Sequence, residues 1–256
     1  MHYYKDIVFE KPMPEEIRRL GLLPADLHFH TRHSDSTTRV RDALKLAERQ
    51  GIRVPLIPGI EVSASDGPHI LLYFYSVSDL RDFYRRHVEM NRRNGPYTAI
   101  RLNTPEILDR REGYACIAVE AHPCGYAFLN RGVQRCVAGA CIGEEVFSRL
   151  DALEVICGGM ARSHNLKAAG GTDGHLLYEL GGVVTCAEAD TVEEFLDAIR
   201  AKKTAVIGRE RPLLEKAVMG TVVLPHHIPY TVPILQARWE QGLPQIRKFV
   251  EGRLNR

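Results

Sequence analysis

The residues of this chain best equipped for chemistry are His28 and His30, in the run Ala25-Asp26-Leu27-His28-Phe29-His30-Thr31-Arg32-His33-Ser34-Asp35. In an extended strand alternate side chains share a face, so both imidazoles can grip one metal ion while Phe29 points away. Asp35, one short loop later, can offer an oxygen to a neighbouring ion. His-x-His also occurs on ordinary exposed strands, so its meaning depends on what else the chain brings to the same place.

Further candidate ligands stand where strands are predicted to begin or end. Glu61 lies in Pro58-Gly59-Ile60-Glu61-Val62-Ser63, and His69 opens the next apolar run. His122 follows the apolar segment 114–121 and precedes Pro123, while Asp173 and His175 share a face of Gly171-Thr172-Asp173-Gly174-His175. Mixed imidazole and carboxylate donors suit zinc, manganese or iron, and a shared carboxylate suits bridging. Taken singly, His122 reads as a structural histidine and Glu61 as a solvated charge. Together, at the ends of several strands of an α/β fold, they read as a metal site.

The elements that must position these residues alternate. Residues 1–24, with Pro12, Pro14 and Pro24 around a helical candidate at 15–20, read as an N-terminal arm. Leu27 opens a strand; Thr37 or Thr38 can cap a helix with Val40, Ala43, Leu44 and Ala47 on one face, ended by Gly51. Strands are predicted at 60–64 and 69–75 around the turn Ser65-Asp66-Gly67-Pro68, and again at 114–121, 152–157 and 204–207. A helix carries Leu80, Phe83, Tyr84, His87 and Val88 on one face, with Arg81, Arg85, Arg86, Arg92 and Arg93 mostly on the other, read as solvated. Thr191 caps a helix running to Ala201. Such alternation implies an α/β fold on a parallel sheet, open or closed into a barrel. Residues 25–211 form this domain, and 212–256 a C-terminal extension with a helix at 234–254 broken near Gly242-Leu243-Pro244. His226-His227 could bind metal, but a loop histidine pair without acidic neighbours in sequence is usually incidental.

Composition narrows the function classes. Lys plus Arg number 34 against 32 Asp plus Glu, so no global field argues for nucleic acid or a membrane surface. No apolar run is long enough to span a bilayer and the first residues lack a secretory pattern, so the chain reads as cytoplasmic. The 6 cysteines form no Cys-x-x-Cys; Cys124, Cys136 and Cys141 are too irregularly spaced for a zinc knuckle and read as reduced thiols.

The order of motifs resembles the PHP family, the polymerase and histidinol phosphatase domain: Asp26-Leu27-His28-Phe29-His30-Thr31 with Ser34-Asp35, Pro58-Gly59-Ile60-Glu61, His69, Ala121-His122-Pro123 and Thr172-Asp173-Gly174-His175. The resemblance runs from about Ala25 to Gly208 and extends to Leu180-Gly181-Gly182. It implies a distorted (βα)7 barrel with two to three divalent metals. It assigns His28, His30, Glu61 and Asp173 to a first metal, Glu61, His69 and His122 to a second, and Asp35 with His175 to a third. The family supplies the third metal with another histidine, in a Thr-Asp-His element that this chain lacks, since Val54 runs straight into Pro55-Leu56-Ile57-Pro58. A second tight join stands at Ala168-Ala169-Gly170-Gly171, where Asn165 should start a helix and a short strand should precede Thr172. Two readings account for these joins: segments missing from this chain, or a reduced member with an incomplete third site.

The resemblance implies hydrolysis of a phosphate ester, with a hydroxide bridging the first two metals as nucleophile. A small phosphorylated metabolite or nucleotide is the expected substrate, and Arg32 or His33 would hold phosphate or protonate the leaving oxygen. Nucleic acid is a possible substrate without support from charge, and the oligomeric state is unread. Two alternatives stand beside this: an amidohydrolase-type enzyme, disfavoured because no lysine occupies a bridging position, and a non-catalytic metal-binding regulatory or scaffold module.

Overall fold

The computed structural model describes residues 7–49, 56–93, 95, 98–123, 132–138, 142–156, 167–209, 212–236, 239, 240 and 243. In chain order the strands are β1 (Ile7–Val8), β2 (Leu23–Ala25), β3 (Gly59–Ser63), β4 (His69–Phe74), β5 (Cys116–Glu120), β6 (Ala152–Glu154), β7 (Lys167–Ala169), β8 (Val183–Ala187) and β9 (Thr204–Gly208). The α-helices are α1 (Pro14–Arg19), α2 (Val40–Arg49), α3 (Val77–Phe83), α4 (Thr104–Arg111), α5 (Val133–Ala138), α6 (Val192–Arg200) and α7 (Leu213–His227). Gly51, Val54, Pro55, Cys124, Cys141, Asn165 and residues 244–256, all used in the sequence reading, lie outside the described residues.

The strands form a five-stranded sheet in the order β3-β4-β5-β6-β7 and a four-stranded sheet in the order β1-β9-β8-β2. The fold is thus mixed α/β, and the expected closed (βα)7 barrel is not found among the described residues. Two physical reasons account for the difference. The four-residue turn 65–68 is far too short for a crossover, so β3 must run antiparallel to β4. Where the sheets meet, threonine hydroxyls replace a backbone ladder: Thr185 Oγ1 accepts from Gly170 N at 2.7 Å and donates to its carbonyl at 2.9 Å, and Thr204 Oγ1 donates to Ala168 O at 3.0 Å. Among the named strands of the described residues, parallel pairing is confined to β1-β9 and β5-β6-β7.

Strand β4 explains how the sheet is anchored. Ile70, Leu72 and Phe74 join a core with Phe83, Ile107, Leu108 and Leu153, while Leu71 and Tyr73 enter a second core with Phe195, Leu196 and Ile199 from α6. With both faces buried, the strand has no polar alternation and reads as a continuous apolar run. Helix α4, which the sequence reading passed over, starts from a capping box in which Asn103 and Glu106 satisfy each other's backbone N–H. No helix among the described residues is long and apolar enough to cross a membrane.

Candidate metal centre

His28 and His30 do not sit in a strand proper. β2 ends at Ala25, and the chain beyond it is extended, held by one parallel bridge between Phe29 and Gly174 and by His30 N donating to Gly174 O at 2.8 Å. That bridge lays the two histidines against Asp173 and His175. Gly171 is required there, because a Cβ would overlap the backbone of His28. Asp26 locks the same junction: its carboxylate accepts from Thr172 N at 2.9 Å, Thr172 Oγ1 at 2.7 Å and Gly181 N at 2.9 Å. Burial pushes the Asp26 carboxyl up to about 6 against the lowering effect of these donors.

Glu61 and His69 are placed by register. Glu61 lies opposite Leu71 and Ser63 opposite His69, so the two are diagonal neighbours on one face of the hairpin. Ala121 N donates to His69 O at 3.2 Å, which brings His122 to the same end of the sheet. His122 and Asp173 both adopt left-handed backbone, with φ of 28° and 48°. Conformations of this kind persist only where surrounding structure enforces them, and they cluster at functional sites.

The donor atoms converge as three groups. Around the first focus, His28 Nε2 is 3.2 Å from His30 Nε2, 3.5 Å from Glu61 Oε2 and 3.5 Å from Asp173 Oδ1. His30 Nε2 is 3.4 Å from Glu61 Oε2 and 3.1 Å from Asp173 Oδ1. Donors held tetrahedrally about 2.1 Å from a zinc-sized ion stand roughly 3.4 Å apart, so these separations fit the edges of one coordination shell. The other oxygen, Glu61 Oε1, faces His69 Nδ1 at 2.8 Å and His122 Nε2 at 3.3 Å. Asp35 Oδ1 meets His175 Nε2 and His30 Nδ1, each at 3.2 Å.

Proton positions agree with this reading. The carboxylate of Glu154, almost wholly buried, accepts from His28 Nδ1 at 3.1 Å. Ser34 Oγ donates to Thr31 O and therefore accepts from His30 Nδ1, at 3.0 Å. With both Nδ1 atoms protonated, both Nε2 lone pairs point at the same spot among carboxylate oxygens, and only positive charge makes that arrangement favourable. When protons alone supply it, burial pulls the imidazoles down but the carboxylates win. Glu154, Glu61 and Asp173 hold His28 well above its usual range, and Asp173, Asp35 and Glu61 lift His30 to about 10. Burial would raise Glu61, Asp35 and Asp173, yet the facing histidines hold all three below the carboxylate range.

All eight residues that the sequence marks as candidate ligands therefore meet in one place, as the groups His28-His30-Glu61, His30-Asp35-His175 and Glu61-His69-His122, with Asp173 against the first. They line a cavity of about 1550 Å³. Arg32 and His33 are both exposed; His33 lines the cavity and Arg32 does not. Sequence reasoning missed Glu154, whose signal is a lone acid in the apolar run Ala152-Leu153-Glu154-Val155. It also misjudged His227, which ends helix α7 instead of lying in a loop and reaches Asp35 Oδ2 at 3.1 Å.

A family model described as PHP-associated matches residues 159–204. No curated protein matches the chain in sequence. Among solved structures it is similar to the lesion-specific endonuclease Q of Pyrococcus furiosus, with 17% identity, a TM-score of 0.55, and coverage of 72% of this chain and 57% of that one. Endonuclease Q in complex with a 27-mer duplex bearing an abasic lesion aligns at 17% identity and TM-score 0.52, over 70% of this chain and 57% of that one. PsfC from Pseudomonas syringae PB-5123 aligns at 12% identity and TM-score 0.52, over 80% of this chain and 98% of PsfC. The chain thus spans little more than half the length of endonuclease Q, and at these identities the likeness is one of fold. The PHP-associated match over residues 159–204 agrees with the resemblance carried by the order of the motifs, and the solved structures add a likeness of fold.

Proposed function

We propose that this chain hydrolyses phosphate esters with two to three divalent metal ions held by His28, His30, Glu61 and Asp173, by Glu61, His69 and His122, and by Asp35 with His175. The observation that carries the proposal is Glu61, whose two oxygens face separate histidine pairs, as a bridging carboxylate must. Divalent ions held by these residues would lower the pKa of bound water and neutralise charge on the phosphoryl oxygens. The protein's own groups set the stage. Glu154 and Ser34 hold protons on the Nδ1 atoms of His28 and His30, and the Asp173 carbonyl accepts from His175 Nδ1 at 3.0 Å, which leaves each Nε2 free to ligate. His33, which lines the cavity, would hold phosphate or protonate the leaving oxygen.

The preferred substrate class is a small phosphorylated metabolite or nucleotide. A polynucleotide is the second reading, favoured by the likeness to endonuclease Q bound to an abasic duplex and by Arg81 and Arg92, which line the same cavity. The experiment is a panel of phosphomonoesters, phosphodiesters and an abasic duplex, assayed with added manganese or zinc on the parent and on H122A. Turnover that falls at least a hundredfold in H122A supports the scheme. Equal rates in H122A carrying its full metal content would sink it, and tightly bound metal without turnover of any substrate would favour the non-catalytic module.

A further inference from the structure

Among the described residues the third donor group, Asp35 with His175, offers two side chains beyond His30, whose Nε2 faces the first focus. A third imidazole nevertheless stands at that carboxylate. His227 Nε2 lies 3.1 Å from Asp35 Oδ2, while His175 Nε2 lies 3.2 Å from Asp35 Oδ1, so the two rings flank the two oxygens of one carboxylate. These separations match those around the first focus and fit the edge of a zinc-like coordination shell. From the metal-centre reading above, on which it rests, we infer that His227 is a ligand of the third metal site, supplied by helix α7 in place of the histidine that the PHP pattern puts just before the Pro58-Gly59-Ile60-Glu61 strand.

Helix α7 makes this placement systematic. Ala217, Gly220, Thr221, Leu224 and His227 recur at intervals of three or four residues and all line the metal cavity, so one helical stripe faces the site and ends in the imidazole. Ala217, Thr221 and Leu224 on that stripe remain exposed at the cavity mouth, whereas His227 at its end is only 8% exposed. A histidine at a helix C-terminus needs no burial to interact with the helix dipole. Here the ring is turned inward, onto a carboxylate 192 residues away in sequence. An isolated Asp35–His227 ion pair would also bring these atoms together, and metal binding separates the two cases.

The experiment counts bound metal. Parent protein, H227A, H227D and H226A are dialysed against equal free zinc, and ions per chain are measured by plasma mass spectrometry. A cobalt titration read by its ligand-field absorption gives a second readout independent of activity. The inference predicts three ions in the parent, two in H227A with the weakest cobalt step lost, three in H226A, and recovery of the third ion in H227D, whose carboxylate keeps a donor at that position. Should H227A fail to fold, H227D against H226A still tests the point, since H227D must then bind a third ion. Three ions in H227A, or two in parent and H227A alike, overturn the role of His227 while leaving the first two sites standing. No ions in the parent overturn the metal-centre reading itself.

Discussion

Glu154 is the residue on which the first donor group depends without belonging to it, and replacing it by glutamine is the most informative perturbation. Its carboxylate accepts from His28 Nδ1 at 3.1 and 3.2 Å and from His122 N at 2.9 Å. A glutamine has one oxygen for these two donors, and its NH2 group must face the other. The shorter backbone contact keeps the oxygen, so His28 Nδ1–H meets an NH2 group in place of its 3.1 Å acceptor and keeps only the 3.2 Å contact to the shared oxygen, and the ring loses orientation and part of its basicity. Removing such a partner behind a metal ligand weakens binding about 10–100-fold, or about 1.4–2.7 kcal/mol. Zinc affinities of parent and E154Q are measured by competition with a chromophoric chelator, with circular dichroism as a check on folding. The first step weakens by that factor, and the step governed by His69 and His122 changes less. An E154Q protein that is folded and binds its first zinc within twofold of the parent refutes the argument.

Other perturbations follow from the same geometry. Asp26→Ala removes the acceptor of the N–H groups of Thr172 and Gly181, each costing about 1–3 kcal/mol, so urea unfolding of the metal-free protein loses about 2–6 kcal/mol; a loss below about 1 kcal/mol contradicts the locking role. In metal-free protein His30 titrates near 10 against 6.5 when unfolded, so its contribution to stability is complete below pH 6.5 and is lost as pH climbs toward 10. Ligation needs neutral imidazole, so the Tm gap between zinc-loaded and chelated protein widens over that window, and a gap that narrows contradicts the assignment. If His33 protonates the leaving oxygen, H33A loses about 10²–10⁴ in kcat on alkyl phosphates and far less on p-nitrophenyl phosphate, whose leaving group needs no proton; equal losses assign His33 to phosphate binding instead.

Much of the site was legible because it is written in short motifs. His28 and His30 face one spot as their spacing implies, although a single bridge at Phe29 does the work expected of a strand. Glu61 and His69 follow from a hairpin whose turn is plain in Ser65-Asp66-Gly67-Pro68. The illegible parts are those set by distant partners. Glu154 is buried in an apolar strand, where its charge signals function, yet its partners His28 and His122 are known only once β5 and β6 pair. His227 lacks acidic neighbours in sequence because its acid is Asp35, reached only when α7 folds back across the cavity. The barrel expectation failed for a related reason: whether adjacent strands close a ladder depends on the Thr185 and Thr204 hydroxyls at the sheet junction, which no local pattern announces.

Anomalous diffraction from a crystal grown with zinc, collected on both sides of the zinc edge, tests the central claim most directly. The account predicts one peak enclosed by His28 Nε2, His30 Nε2, Asp173 and Glu61 Oε2, and a second at Glu61 Oε1 with His69 and His122. Absence of both peaks at saturating zinc, or zinc bound elsewhere with Glu61 turned away from the histidines, would contradict it.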